Sequence, residues 1–214
     1  MKILHLTPWW PASDYDSAGR FVYDQVEALR AAGHQCEVEI VNGDTWTGVV
    51  GGLLSGTHWA ISGGPMVQRA LEWGPDVIHA HVTWPCGWMG AKISERIRAP
   101  LVVSEYLVPF GSCMKTSMHE KRVREALRQA MLVTACGPSL ARDMEPYVSF
   151  RPTLVWEVSP IVADVFYKAR ANRMAKPGML LAAGRLSQRK NFALAIDVLS
   201  YLPDHTLTIV GYGE

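Results

Sequence analysis

Short apolar runs recur along this chain, each followed by a segment of helical period, and that alternation restricts the fold more than any other feature. Residues 3–7, 35–41, 77–81, 101–104, 132–135 and 153–158 are strand-length and rich in Val, Ile and Leu. Between them, Ser17-Ala18-Gly19-Arg20 leads into Val22, Val26 and Leu29, spaced by four and three, and Gly33 stops the pattern. Met66, Val67, Ala70 and Leu71 repeat the period until Gly74-Pro75, and further helices are predicted over 87–97, 115–130 and 139–145. Strands that alternate with helices form right-handed βαβ units, so the expected fold class is α/β: a Rossmann-like parallel sheet with helices on both faces. Ligands of such sheets sit at the C-terminal strand ends. That directs attention to the loops after Thr7, His81, Ser104 and Ala135.

From 165 to 178 the composition turns polar and basic, through Lys168, Arg170, Arg173, Lys176 and Pro177, and reads as a linker. A new βαβ unit then begins with Met179 to Ala183, continues through a cationic loop and a helix over 192–202, and returns along a strand over 205–210 to Gly211-Tyr212-Gly213-Glu214. The expected organisation is a domain over 1–164, a linker over 165–178, and a second, incomplete Rossmann-like unit over 179–214. Two strands and one helix cannot close a doubly wound domain, because their apolar faces lack partners. The chain therefore reads as a fragment.

The cationic loop of that second unit is Gly184-Arg185-Leu186-Ser187-Gln188-Arg189-Lys190-Asn191. A Gly-led turn running into a helix favours anions, since free N–H groups and the positive end of the dipole lie there. Arg185 and Lys190 add one forked and one compact cation, and phosphate is the natural guest. The alternative is an ordinary turn with solvated basic residues. Ser17-Ala18-Gly19-Arg20 offers a second, weaker backbone cradle, with Gly19 allowing close approach.

A net charge of +1 across the whole chain makes any phosphate recognition local and argues against nucleic acid as a partner. The four cysteines, Cys36, Cys86, Cys113 and Cys136, form no CxxC pair, which points to reduced thiols in a cytoplasmic setting. Residues 1–6 enter a strand directly, with no signal-peptide pattern. Residues 46–65 are almost uncharged but Gly-rich, a poor spanning helix; they read as a buried loop, with peripheral contact at the inner face of a membrane as the alternative. The basic residues over 115–128 read as a solvated, ion-paired helix face in preference to one that touches anionic lipid.

At the strand ends, His79 and His81 lie two apart and so share a face, with His81 nearer the C-terminal edge. Along the sequence no His or Cys cluster supplies further ligands, so no metal site is assigned, and the pair reads as structural or substrate-contacting. Glu105-Tyr106 places a carboxylate and a phenol at the cleft, both suited to hydroxyl-rich ligands, and Glu105 could exchange protons if burial raised its pKa. No GxGxxG follows the first strand, which disfavours a nucleotide-sugar epimerase or dehydrogenase.

In this order the motifs resemble those of the family-4 retaining glycosyltransferases of the GT-B fold, in which two Rossmann-like domains face each other across a cleft. The carriers are Ser17-Ala18-Gly19-Arg20-Phe21-Val22 with Leu29 and Gly33-His34; Asp76-Val77-Ile78-His79-Ala80-His81; Pro100 to Glu105; Val133-Thr134-Ala135 with Ser139-Leu140-Ala141; Gly184-Arg185-Leu186 with Lys190-Asn191; and Gly211-Tyr212-Gly213-Glu214. The resemblance implies a hexosyltransferase fragment that moves a sugar from a nucleotide-sugar donor to a carbohydrate or lipid-linked acceptor, in glycan, polysaccharide or glycolipid biosynthesis. It further implies no cofactor and no metal, because Arg185 and Lys190 would steady the charge on the leaving diphosphate. Gly19, Gly184, Arg185, Lys190, Gly211 and Gly213 become the candidate diphosphate-binding set, and His81, Glu105 and Tyr106 the candidate catalytic set.

The chain departs from the family pattern in four places. Ala18 replaces one of a glycine pair, Tyr106 stands where a histidine is usual, Ser159-Pro160-Ile161-Val162 lacks an expected asparagine, and the carboxylate pair that holds the donor would lie past residue 214. The 214-residue chain alone is accordingly expected to be inactive. A degenerate module that binds a glycan or lipid acceptor without transferring sugar is the alternative function.

Overall fold

In the computed structural model, which describes residues 1–13, 16–41, 64–148, 155–157 and 176–213, the apolar runs become parallel strands. β1 (Lys2–Thr7), β2 (Gln35–Ile40), β3 (Val77–His81), β4 (Leu101–Glu105), β5 (Leu132–Ala135) and β6 (Val155–Glu157) form one sheet in the order β2-β1-β3-β4-β5-β6. Every neighbouring pair is parallel. The connecting helices are α1 (Arg20–Ala31), α2 (Gly64–Trp73), α3 (Trp88–Ile97), α4 (Ser117–Gln129) and α5 (Pro138–Val148). The chain leaves β1 outward to β2, returns to β3 on the other side of β1, and from there continues in one direction. The direction reverses between β1 and β3, the place where open α/β sheets bind ligands.

Because the β1–α1–β2 crossover runs against the others, right-handedness places α1 on one face and α2 to α5 on the other. The pleat makes those faces unlike. Leu4, Leu6, Ile78, Ala80, Val103, Val133 and Ala135 form an apolar face and pack with Val67, Ala70, Ile93, Val123, Leu127 and Leu140 of the helices. Burying each of the larger side chains contributes about 1.5–3 kcal/mol. The opposite face carries His5, Thr7, His79, His81, Ser104 and Thr134, all buried. The backbone register sets His5 beside His79, His81 beside Ser104, and Ser104 beside Thr134.

The helix expected over 87–97 begins at Trp88, after a tight turn over Thr83–Gly87. α4 starts at Ser117, capped by Thr116, whose hydroxyl accepts the His119 N–H at 3.2 Å. Two of its basic side chains are held: Arg124 pairs with Glu120 at 2.8 Å, and the Arg122 guanidinium sits 4.4 Å over the Trp88 ring. Among the described residues no helix is long and apolar enough to cross a membrane.

The chain divides into two compact units, Met1–Val162 and Ala163–Glu214. In the second, β7 (Met179–Ala183) pairs parallel with β8 (Thr206–Val210). The helix expected over 192–202 is shorter: α6 spans Phe192–Val198 and tightens into a 3-10 turn over Leu199–Tyr201. The approach to it also differs from the expectation. A 3-10 turn over Gln188–Lys190 comes first, and Asn191, left-handed at φ 50°, separates it from α6. The cationic loop therefore does not run straight into a helix N-terminus. Leu181, Leu194, Ile196 and Val210 of this unit are exposed. The linker expected over 165–178 and the loop over 46–65 lie mostly outside the described residues, with Gly64 and Pro65 opening α2.

α3 presses its backbone onto the apolar face at Gly90, where a Cβ would lie 2.7 Å from Leu101 Cδ1 and 3.5 Å from Ile78 Cγ2 and Leu6 Cδ1. Gly90→Val should overpack this contact and lower stability by about 1–3 kcal/mol, read from the urea midpoint of unfolding. An unchanged or raised midpoint would show that the helix does not sit this close.

Candidate functional site

The C-terminal ends of β1, β3 and β4 converge where the strand order reverses, and their side chains form a connected polar network. From β1, His5 Nδ1 lies 3.1 Å from His81 Nε2 of β3. The other nitrogen of His81, Nδ1, lies 3.2 Å from the Tyr106 hydroxyl just beyond β4. That hydroxyl also reaches Gln25 Oε1 of α1, at 3.5 Å. Beside this chain, His79 Nε2 lies 2.8 Å from Ser104 Oγ, which accepts the Thr134 hydroxyl at 2.7 Å. The His79 and His81 ring centroids are 4.3 Å apart, and Phe21 of α1 meets the Tyr106 ring edge-on at 4.7 Å.

Burial fixes the protonation of the network. Loss of water pushes His5 down to about 3, helped by the neighbouring His79 and Arg30 charges, and pushes His79 down to about 4. Burial likewise holds His81 well below the usual imidazole range, with His79 and His5 adding to the effect. At neutral pH all three rings are uncharged, each with one donor and one acceptor nitrogen. Burial pushes the Tyr106 phenol up to about 12, so it remains a donor.

Neutral rings linked in series fix one another's tautomers. If the Tyr106 hydroxyl donates to His81 Nδ1, then His81 Nε2–H donates to His5 Nδ1, and His5 Nε2 carries a proton. If the chain runs the other way, His5 Nε2 is a bare lone pair. In both cases this atom is buried without a hydrogen-bond partner.

The structure gives Glu105 a different task from the ligand binding or proton exchange expected of it. Its carboxylate is buried and accepts three backbone N–H groups: Thr83 at 2.8 Å on one oxygen, and Tyr106 at 2.8 Å and Leu107 at 2.9 Å on the other. It clips a strained corner. Val82, a β-branched residue, is held at φ 76°, where only glycine sits easily. The clip anchors the next residue, and the Val82 N–H donates to Ser104 O at 2.7 Å. Burial and the Glu105 charge push the Cys86 thiol in this turn well up, leaving it protonated.

Sequence reasoning paired His79 with His81 and found no further ligand, but the fold supplies one. His5 comes from the neighbouring strand, and one ring nitrogen from each of His5, His79 and His81 falls within 4.8 Å of the others. The signal was present as parity: His5 lies on an adjacent strand, in register with His79. It could be used only once β1 and β3 were known to be neighbours.

Residues 17–155, well over half of the chain, match the model of the glycosyl transferase 4-like domain. The chain belongs to this family. No curated protein matches it in sequence. Among solved structures, the Anabaena protein HepE in complex with UDP superposes with a TM-score of 0.66 at 18% identity, over 100% of this chain and 62% of HepE. HepE in complex with UDP-glucose gives 0.58 at 21% identity, over 99% and 61%. The UDP-GlcNAc 2-epimerase of Methanocaldococcus jannaschii gives 0.56 at 10% identity, over 98% and 65%. At these identities the likeness is one of fold, the Rossmann-like α/β sheet found in GT-B proteins. The chain spans less than two thirds of the length of each of these structures.

Within the glycosyl transferase 4-like domain, Gly19 is the N-cap of α1 at φ 69°, and a Cβ there would lie 2.5 Å from the Trp9 backbone. The position tolerates only glycine, so the family-like loop after β1 is fixed by packing as well as by any ligand. In the second unit Gly211 and Gly213 run against the backbones of Gly184 and Leu186, with no room for a side chain. Two bonds zip the loops together: Gly184 N–H to Val210 O at 2.9 Å and Leu186 N–H to Tyr212 O at 2.8 Å. Arg185 and Lys190 lie on the loop so formed, and the Lys190 N–H donates to Ser187 O at 3.0 Å.

Glu105→Gln keeps the shape of the clip but turns one acceptor atom into a donor that faces a backbone N–H. The variant should lose about 1.5–3 kcal/mol of stability in denaturant unfolding. A loss below about 0.5 kcal/mol would show that the corner at Val82 holds without the carboxylate.

Proposed function

We propose that this chain is the acceptor-side domain and the opening of the donor domain of a nucleotide-sugar-dependent glycosyltransferase. The match of residues 17–155 to the glycosyl transferase 4-like domain carries the reading. HepE complexes with UDP and UDP-glucose support a uridine-diphosphate sugar as the donor. In the reaction the bond between the sugar C1 and the donor phosphate oxygen breaks, and UDP departs with the electron pair. C1 then bonds to an acceptor hydroxyl oxygen, whose proton passes to the departing diphosphate oxygen, with retention of configuration at C1.

Charge grows on the leaving diphosphate, and preorganised cations stabilise it where it grows. Arg185 and Lys190 fill that role, without a metal in the transfer step. Gly184, Gly211 and Gly213 shape the loop that carries the two cations. The Tyr106 hydroxyl, which donates to Gln25 Oε1, accepts a hydrogen bond from a sugar hydroxyl. The acceptor is a carbohydrate or a lipid-linked glycan, met in the cytoplasm at the inner face of the membrane in the lipid-linked case.

Titration of the protein with UDP tests the donor site. Arg185→Ala and Lys190→Ala should each weaken binding at least about tenfold, the effect of removing one charge-assisted contact. UDP affinity unchanged in both variants would overturn the assignment of the cationic loop.

A further inference from the structure

We propose that His5, His79 and His81 form a binding site for one divalent transition-metal ion, best matched by zinc. The site has three imidazole ligands and joins β1 to β3 at the reversal of strand order. It does not rest on the sugar-transfer reading, although the two share His81, whose ring also orients the Tyr106 hydroxyl.

The donor set comes first. Imidazole suits zinc, copper, nickel and cobalt, whereas magnesium and calcium prefer oxygen. Three histidines from two adjacent strands bring one nitrogen each to within 4.8 Å of one another. Three ligands at a zinc–nitrogen distance of about 2.0–2.1 Å stand about 3.3 Å apart in a tetrahedron. His5 Nδ1 and His81 Nε2 are already 3.1 Å apart, so the remaining adjustment falls mainly on His79.

The outer shell is in place for two of the three rings, His79 and His81. Metal-binding histidines are normally held by a hydrogen bond at the nitrogen that does not meet the ion. His81 Nδ1 is held by the Tyr106 hydroxyl at 3.2 Å, and His79 Nε2 by Ser104 Oγ at 2.8 Å. Ser104 is steadied in turn by the Thr134 hydroxyl at 2.7 Å. Those bonds leave His81 Nε2 and His79 Nδ1 for a shared ion.

The third observation is the deficit in the network. His5 is fully buried, and its Nε2 has no partner. Two neutral histidines facing each other share one proton, and the ring at the end of the series is left half-partnered. An ion takes the place of that shared proton: His5 Nδ1 and His81 Nε2 then both present lone pairs, and His5 Nε2 keeps a proton. The pairing of neutral rings needs no proton released at neutral pH, and the burial that keeps them uncharged also keeps them ready as ligands.

The experiment uses untagged, chelator-treated protein titrated with cobalt(II) and then with zinc. The expected result is one ion per chain, with the visible absorption of low-coordinate cobalt lost on addition of zinc. Binding should fall at least 100-fold in His5→Gln and in His79→Asn, and stay unchanged in the surface control His205→Gln. A site unaffected by the first two substitutions, or lost in the control, overturns the proposal, as does no binding at micromolar zinc. Should the core variants fail to fold, X-ray absorption on the zinc-loaded wild-type protein decides: three imidazoles around the ion support the site, and fewer than three overturn it.

Discussion

The structure depends on a polar row buried on one face of a parallel sheet, where every donor and acceptor needs a partner. An apolar face packs by volume and tolerates exchange of one aliphatic side chain for another. A buried polar face is less forgiving, since each unpaired group loses its hydration with nothing in return. His5, His79, His81, Ser104 and Thr134 meet that demand largely among themselves, and Tyr106 and Gln25 close the row toward α1. The network thus ties together four strands, β1, β3, β4 and β5, where the sheet reverses order.

The same edge is where the fold places chemistry. Val82 turns the chain out of β3 at a positive φ, and the Glu105 carboxylate holds the corner by three backbone N–H groups. The residue that looked most like a catalytic acid is therefore a structural clip, and the phenol beside it is the group presented by the network. In the second unit the chain makes a comparable close approach with backbone alone, by running Gly211 and Gly213 against Gly184 and Leu186. Membership of the glycosyl transferase 4-like family gives both edges a common purpose in the proposed reading: one meets the acceptor and the other a diphosphate.

Much of this was legible in the residues. Period two in Ile78, His79, Ala80 and His81 and period four and three in Val22, Val26 and Leu29 report burial of one face, and such faces are set locally. Strand order was not legible, because pairing β1 with β3 is a long-range choice, and His5 could join the site only through it. The backbone partners of Glu105 were hidden for a related reason. Its surroundings in sequence are a loop, while its partners include Thr83, 22 residues away. α6 starts at Phe192 as expected but ends at Val198, and the turn before it was hidden because Asn191 adopts a left-handed conformation that few residues accept and that no pattern of hydrophobicity records.

Neutral histidines in the row carry a linkage. Their folded-state pKa values lie below the unfolded value of about 6.5, so the stability they contribute is present above that pH and is lost as pH falls toward about 4 to 3. The account stands on those three rings staying uncharged inside the sheet. An NMR titration of the imidazole nitrogens tests it directly. The shifts of His5, His79 and His81 should stay flat from pH 8 down to about 5, at neutral-tautomer values, while an unperturbed histidine titrates near 6.5. A midpoint near 6.5 for any of the three would contradict the buried neutral network on which the edge of the sheet is built.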